Sequence, residues 1–232
     1  MIIVEGTIGA GKSTFLKILE KNFPSISIAC EPVHNWEKHL YGQSLLTNFY
    51  QQPQRWAYTF ELMTLMHRAH DYGSLQKTFH TDLFIERSLY SGYYCFAYNS
   101  FMQGFMSPLE WAQYQEWFKF LVVQKCQPPQ GFIYLKIDPL VAYERIKKRN
   151  RYAEKTISLA YLKQIHERHE DFLVSGKQKL ESIRHVPVLI LDVTKDFEHD
   201  SGQMRSLLSQ VDAFMNSCSR NLSQTPFVAP LL

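Results

Sequence analysis

Short apolar runs alternate with stretches of helical spacing along this chain. Strand-like runs fall at Met1–Glu5, Ile26–Cys30, Asp82–Glu86, Phe132–Lys136 and Val186–Leu191. Each is brief and continuously apolar, the pattern of a strand covered on both faces. Between them Thr14 to Leu19 opens a helix. Pro53 suits a first helical turn, and Trp56, Phe60, Met63, Leu65 and Met66 continue the pattern. Ser107-Pro108-Leu109-Glu110 reads as an N-cap, a first-position proline and a capping-box acid. The helix behind it carries Trp111, Tyr114, Trp117, Phe118 and Leu121, a stripe that suits core or a subunit interface. Strands alternating with helices predict an α/β fold: a five-stranded parallel sheet flanked by helices, with functional loops at the strands' carboxyl ends. Residues 1–215 read as a single domain. Residues 216–232 hold prolines and serines without a clear period and read as a peripheral or mobile tail.

Composition narrows the class. A chain of 232 residues suits one well-buried domain, and 45% hydrophobic with 20% charged residues is ordinary for a soluble globular protein. A net charge of +3 gives no argument for a nucleic-acid partner. Cys30, Cys95, Cys126 and Cys218 have neither zinc-site nor disulfide-framework spacing, so reduced thiols in a cytosol-like compartment are expected. No apolar run approaches a membrane span of ~18–20 residues, and no membrane partner is expected. The chain opens directly into its first strand, so no leader is expected and the cytoplasm is the default compartment. A processed organellar form would read the same way.

The chemistry begins at Gly6-Thr7-Ile8-Gly9-Ala10-Gly11-Lys12-Ser13, which fits G-x-x-x-x-G-K-[ST] in full between a strand and a helix. Glycines let successive N–H groups turn toward phosphate oxygens, and the helix N-terminus adds its positive dipole end. Lys12 is placed for the outer phosphates, Ser13 for Mg²⁺, and Thr14 completes the binding segment. The expected ligand is a nucleoside triphosphate, with ATP and Mg²⁺ as the working pair.

Three further clusters share that rim. Glu31-Pro32-Val33-His34-Asn35-Trp36 follows the second strand, where a carboxylate can take the proton of an attacking hydroxyl. Glu86-Arg87-Ser88 follows the third; Glu86 suits Mg²⁺ or its waters and Arg87 a nucleophilic or phosphate oxygen. The run Arg145-Ile146-Lys147-Lys148-Arg149-Asn150-Arg151-Tyr152-Ala153-Glu154 is dense in cations, as a lid over a transferring phosphoryl group must be.

The strings EGTIGAGKST, EPVHNW, RWAYTFE, ERSLYS, the basic segment ending in Glu154, and LDVTKDF together resemble the deoxynucleoside kinase family, in order from residue 1 to about residue 199. The resemblance implies a P-loop kinase fold with an arginine-rich lid, phosphorylation of a deoxynucleoside 5′-hydroxyl, and a homodimer. It implies Glu31 as general base, Arg87 as holder of the 5′-oxygen, and Ser13 with Glu86 at the metal. Tyr50 and Glu154 match residues that grip the sugar 3′-hydroxyl; Trp36, Trp56 and Phe60 fall at the base pocket. Arg145, Arg149 and Arg151 match lid arginines, and Asp196 and Phe197 lie in a loop that clamps the donor's base.

Two positions, Glu61 and Gly92, depart from the pattern, while Arg68 matches an arginine of the deoxycytidine and deoxyguanosine enzymes. Where the family has a glutamine that pairs with the substrate base, this chain has Glu61. An ionised carboxylate accepts only, which suits guanine's adjacent N1–H and N2–H donors first and thymine's N3–H second. Arg68, two turns further along, has its usual acidic partner replaced by Gly92, so Glu61 or a base carbonyl is its expected partner. Gly92 leaves space for a purine or a methylated pyrimidine. A nucleoside monophosphate kinase of the thymidylate type and a non-catalytic nucleotide-binding subunit are the rival readings.

Overall fold

The computed structural model describes residues 1–37, 39–40, 42–78, 82–177 and 179–222. In chain order the elements are β1 (Ile2–Glu5), α1 (Lys12–Asn22), β2 (Ile26–Ala29), α2 (Val33–Glu37), β3 (His39–Leu40), β4 (Gln43–Ser44), α3 (Leu45–Gln51), α4 (Pro53–Thr78) and β5 (Asp82–Glu86). There follow α5 (Leu89–Ser91), a π-helical turn Gly92–Ala97, α6 (Tyr98–Met102), α7 (Pro108–Lys125), β6 (Gly131–Lys136), α8 (Pro139–Arg149), a short turn Tyr152–Glu154, α9 (Leu159–His169), α10 (Glu181–Arg184), β7 (Val188–Asp192) and α11 (Ser201–Leu222).

The five expected strands form one parallel sheet in the order β2-β5-β1-β6-β7. A period of two divides each strand between two cores. Ile3, Phe132 and Tyr134 face one; Ile2, Val4, Ile133 and Leu135 face the other. Helices α4 and α7 cover the larger core, with Phe60, Leu65, Tyr72, Trp111, Tyr114 and Phe118 among its buried residues. On the opposite face lie Phe15 and Leu16 of α1, Ala142 of α8, and Leu207 and Val211 of α11. The boundaries follow local chemistry. Ser107 Oγ accepts from Glu110 N while the Glu110 carboxylate accepts from Ser107 N at 2.8 Å, so both halves of the capping box form. Asp138 Oδ1 accepts from Leu140 N at 2.7 Å and Pro139 starts α8.

One boundary differs from expectation. Helix α11 continues to Leu222, so residues 216–222 are helical rather than tail. Leu207, Val211 and Cys218 are buried at spacings of four and seven, and that stripe holds the helix on the sheet beyond residue 216. The rest of the expected tail, residues 223–232, lies outside the described residues.

Strand order reverses at β1, which has β5 on one side and β6 on the other. Loops leaving the carboxyl ends of β1 and β5 therefore open a crevice, the usual ligand position in such sheets.

Candidate active site

The loop from Gly6 to Gly11 leaves β1 and turns into α1 through left-handed backbone at Gly9 (φ +84°) and Gly11 (φ +88°). A Cβ on Gly9 would also stand 2.5 Å from the Ala142 carbonyl oxygen, so both backbone shape and α8 require glycine there. Lys12, the first residue of α1, is buried and donates from Nζ to the carbonyls of Gly6 and Thr7, both at 3.1 Å. Burial, then the Arg87 charge, pulls its pKa down to about 8 against the pull of Glu86, Glu31 and Glu5.

Ser13, one residue on, donates from Oγ to both Glu86 carboxylate oxygens at 3.1 and 3.0 Å. A hydroxyl and a carboxylate are the hard oxygen donors a magnesium ion takes in partial shells completed by phosphate and water. Glu31 follows β2 and its side chain is 7% exposed. Its Oε1 accepts from Arg68 Nε at 3.1 Å and Nη2 at 2.6 Å; its Oε2 accepts from Arg87 Nε at 3.1 Å. Burial works to raise the Glu31 pKa, but Arg87, Arg68 and Lys12 outweigh it and hold the carboxyl below its usual range. Arg87 takes a left-handed backbone (φ +66°), donates its N–H to Val4 O, and lays its guanidinium 4.4 Å from the Phe96 ring centre. That backbone is costly for a residue with a Cβ and re-aims the side chain across the crevice.

These groups line one cavity of about 270 Å³. Lys12, Ser13, Glu86, Arg149 and Arg151 stand at its polar end; Trp36, Leu46, Phe49, Tyr50, Phe60 and Tyr161 wall the other, with Glu31 and Arg87 also lining it. Phe49 and Phe60 stack at 4.6 Å between centroids, and Trp36 meets Phe60 edge-on. The slot suits a flat ring. Glu61 lines it too, 1% exposed, with Oε1 lacking a hydrogen-bond partner. Burial, opposed by Arg68 and Arg87, pushes its pKa up to about 8.

A second cavity, about 520 Å³, is lined by Gly9, Gly11, Thr14, Arg145, Arg149, Asp196 and Phe197 among others. Gly9 and Arg149 line both cavities and mark where they meet. Ile8 lines the first cavity, whereas Ala10 is buried in the core beneath the loop.

Three expectations need correction. Arg68 pairs with Glu31, not Glu61, because its side chain runs from α4 toward the β2 end. The space at Gly92 is taken by that same guanidinium: a Cβ there would lie 2.8 Å from Arg68 Nη1. Trp56 lies outside the residues lining either cavity; it packs partly buried on the larger core beneath the Arg55 guanidinium, one turn short of Phe60. Arg145, at the start of the cationic run, lines the second cavity beside Lys148 and Arg149 and donates from Nη2 to the carbonyls of Val193, Thr194 and Lys195. Of the other two flap arginines, Arg149 binds both Glu154 oxygens at 2.8 and 2.6 Å and Arg151 stands 3.6 Å from them. Sequence reasoning missed Leu46, Phe49, Phe96 and Tyr161, apolar residues whose only signal was ordinary helical periodicity.

Comparison with known proteins places the chain among nucleoside kinases. The family model described as deoxynucleoside kinase matches residues 2–216. A chicken (Gallus gallus) protein named deoxycytidine kinase 2 is 34% identical, covering 93% of this chain and 90% of its own. A mitochondrial deoxyguanosine kinase of Xenopus laevis is 34% identical over 91% of this chain and 88% of its own. A probable deoxycytidine kinase of fowlpox virus (strain NVSL) is 34% identical over 93% and 88%.

Proposed function

Because the chain belongs to the deoxynucleoside kinase family, whose members move a phosphoryl group from a nucleotide to a nucleoside hydroxyl, we propose that its two adjoining cavities hold acceptor and donor in line. The enzyme is a phosphotransferase with a nucleoside acceptor. The proposal concerns which residues do the work.

The deoxynucleoside lies in the smaller cavity, its base in the slot of Trp36, Phe49 and Phe60 and its 5′-hydroxyl toward Glu31. Glu31 is ionised at neutral pH and accepts that hydroxyl's proton, while Arg87 holds the oxygen in position. Tyr50 and Glu154 take the sugar 3′-hydroxyl. The loop N–H groups and Lys12 hold the triphosphate of ATP, whose base reaches the larger cavity beside Arg145 and Phe197. Ser13 and Glu86 would hold Mg²⁺, which supplies charge neutralisation across the outer phosphates. Arg149, at the junction, and Arg151 exchange Glu154 for phosphate oxygens as a lid. Positioning and charge stabilisation carry most of the acceleration, since the loose transition state asks little covalent help. With two acceptor oxygens when ionised, Glu61 places guanine ahead of thymine among the bases.

A homodimer is proposed on the face of α7 that turns Trp117, Phe120 and Val123 to solvent at a spacing of three residues. A cytoplasmic setting is supported by the free state of Cys30, Cys95, Cys126 and Cys218. Among the described residues no helix is long and apolar enough to cross a membrane, and no nucleic-acid partner is proposed.

The observation that carries the reading is the single cavity joining Lys12 and Ser13 to an aromatic slot through Glu31 and Arg87. The test is phosphate transfer from ATP and Mg²⁺ to each deoxynucleoside, with thymidine monophosphate and no-acceptor controls. Transfer to one or more nucleosides is expected. Transfer confined to the monophosphate would overturn the assignment of the acceptor cavity.

A further inference from the structure

Glu61 brings to the aromatic slot a carboxyl whose Oε1 is buried and unpaired, and the nearest cation on its own helix is turned mainly to another acid. Arg68, on the same helix, spends Nε and Nη2 on Glu31. Arg87, from the end of β5, spends Nε on the other Glu31 oxygen. The remaining titratable groups that bear on Glu61 are the Glu31 carboxylate behind β2 and the hydroxyls of Tyr50 on α3, Tyr114 on α7 and Tyr161 on α9. The Tyr114 hydroxyl is itself buried without a partner. Among the described residues no salt bridge forms to Glu61: Arg68 Nη1 and Arg87 Nη1 are themselves buried without a partner, and so is Glu61 Oε1, on a residue that lines the cavity.

A carboxyl so placed has two reading modes. As a neutral acid it offers one O–H donor and one carbonyl acceptor side by side. Every natural base has a matching edge: N1–H with O6 in guanine, N3–H with O4 in thymine, N4–H with N3 in cytosine, N6–H with N1 in adenine. As a carboxylate it offers two acceptors, and only guanine presents two adjacent donors, N1–H and N2–H. The other three then set a lone pair against a buried negative charge, a mismatch of the kind that sites reading a base by hydrogen bonds reject strongly.

Resting on the nucleoside-kinase reading above, we propose that a single proton on Glu61 sets the breadth of acceptor choice: protonated, the site takes all four deoxynucleosides, and ionised it selects deoxyguanosine. Burial, against Arg68 and Arg87, keeps the acid neutral to about 8 in the empty site, so the change falls within an accessible pH range. Binding of deoxyguanosine draws the carboxyl toward its ionised form and expels a proton, whereas deoxycytidine binding leaves it in place. This differs from a fixed preference for oxo bases, because the preference exists only on the alkaline side.

The experiment measures kcat/KM for deoxyguanosine and deoxycytidine with saturating ATP and Mg²⁺ at steps between about pH 6 and pH 9. Taking the ratio cancels Lys12, Glu31 and every other group common to both reactions. The ratio is expected to rise roughly tenfold across the range in the native enzyme and to stay flat in Glu61→Gln, whose amide donates and accepts at every pH. Calorimetry of the native enzyme at pH ~7.5, in buffers of different ionisation enthalpy, is a second readout that needs no variant. Proton release with deoxyguanosine and none with deoxycytidine is expected. A flat native ratio, or a rise that persists in Glu61→Gln, overturns the proposal while leaving the kinase reading intact. Equal proton release with the two nucleosides does the same. Transfer to thymidine or deoxyadenosine but to neither of these two at any pH overturns this inference alone, whereas no transfer to any of the four deoxynucleosides overturns the kinase reading and this inference with it.

Discussion

Arg68 reaches Glu31 through two nitrogens on one oxygen, Nε at 3.1 Å and Nη2 at 2.6 Å from Oε1. The other oxygen belongs to Arg87, so the proposed base is clamped from two elements. Burial alone would raise the Glu31 pKa; Arg87, Arg68 and Lys12 bring it below the usual range. A depressed carboxylate contributes its stabilisation above its unfolded pKa and loses it as pH falls through the folded value, and the base is lost in the same window. Arg68→Gln removes one of those cations. The acid limb of kcat/KM is therefore expected to move to higher pH, with thermal stability in acid reduced alongside. A limb that stays put would show that Arg87 and Lys12 suffice.

Replacing the base itself separates chemistry from binding. Glu31→Ala is expected to lower kcat at least ~100-fold, the lower end of general-base effects, while ATP binding persists because the Glu31 carboxylate hydrogen-bonds to Arg68 and Arg87 rather than holding the phosphate loop. Turnover near the native value would place the base elsewhere. Glu86 would be the next candidate, since it already accepts from Glu31 N at 3.4 Å.

Donor affinity should carry its own pH signature. Lys12 sits at about 8, below its ordinary 10.5, chiefly through burial. Its folded pKa is lowered, so burying the charge destabilises the empty protein below about 8, and that cost lifts as pH rises toward 10.5. Phosphates favour the charged form. ATP affinity measured without nucleoside should therefore fall by up to roughly tenfold per pH unit above that point. Lys12→Gln should bind more weakly and show no such limb; a native enzyme with constant affinity would mean Lys12 stays charged throughout.

How far the sequence carried this picture depended on the range of the interactions. The five strands and the Ser107 cap were legible because each is fixed by neighbours within a few residues. Glu31, Glu86 and Arg87 were legible because strand ends gather at one rim. Arg68 was misassigned because its partner lies 37 positions away on another element, and no helical wheel contains Glu31. Gly92 was read as empty space when a guanidinium fills it. Tyr161 gave no warning, since a tyrosine on an amphipathic helix is ordinarily core.

The apolar stripe on α7 predicts assembly. Trp117 and Phe120 are 45% and 42% exposed and meet edge-on at 5.9 Å, while Val123 is 81% exposed. Large apolar groups aligned on one helix face are costly to leave in water. Trp117→Glu combined with Phe120→Glu is expected to convert a dimer to monomers in sedimentation analysis, because like charges would face each other across a two-fold interface. A native protein that sediments as a monomer at micromolar concentration would remove the proposal.

Glu154 is the residue through which the proposed sugar contact and the proposed lid would be linked. It is 5% exposed in the short turn after α8, with Arg149 at 2.6 Å and Arg151 at 3.6 Å. It also bears on Tyr50 across the cavity, where after burial it is the next influence holding that hydroxyl protonated. A sugar 3′-hydroxyl donating to this carboxylate would compete with the arginines and turn them toward the donor's phosphates. A hydrogen bond to a charged group contributes about 1.5–3 kcal/mol, so the native enzyme should favour a 2′-deoxynucleoside over its 2′,3′-dideoxy analogue by roughly 10–100-fold in kcat/KM. Glu154→Gln keeps the shape and removes the charge. That preference should then shrink by about tenfold, with kcat falling for both substrates as the lid loses its partner. If the ratio is unchanged while kcat falls, Glu154 serves only to anchor Arg149, and the 3′-hydroxyl must be read by Tyr50 alone.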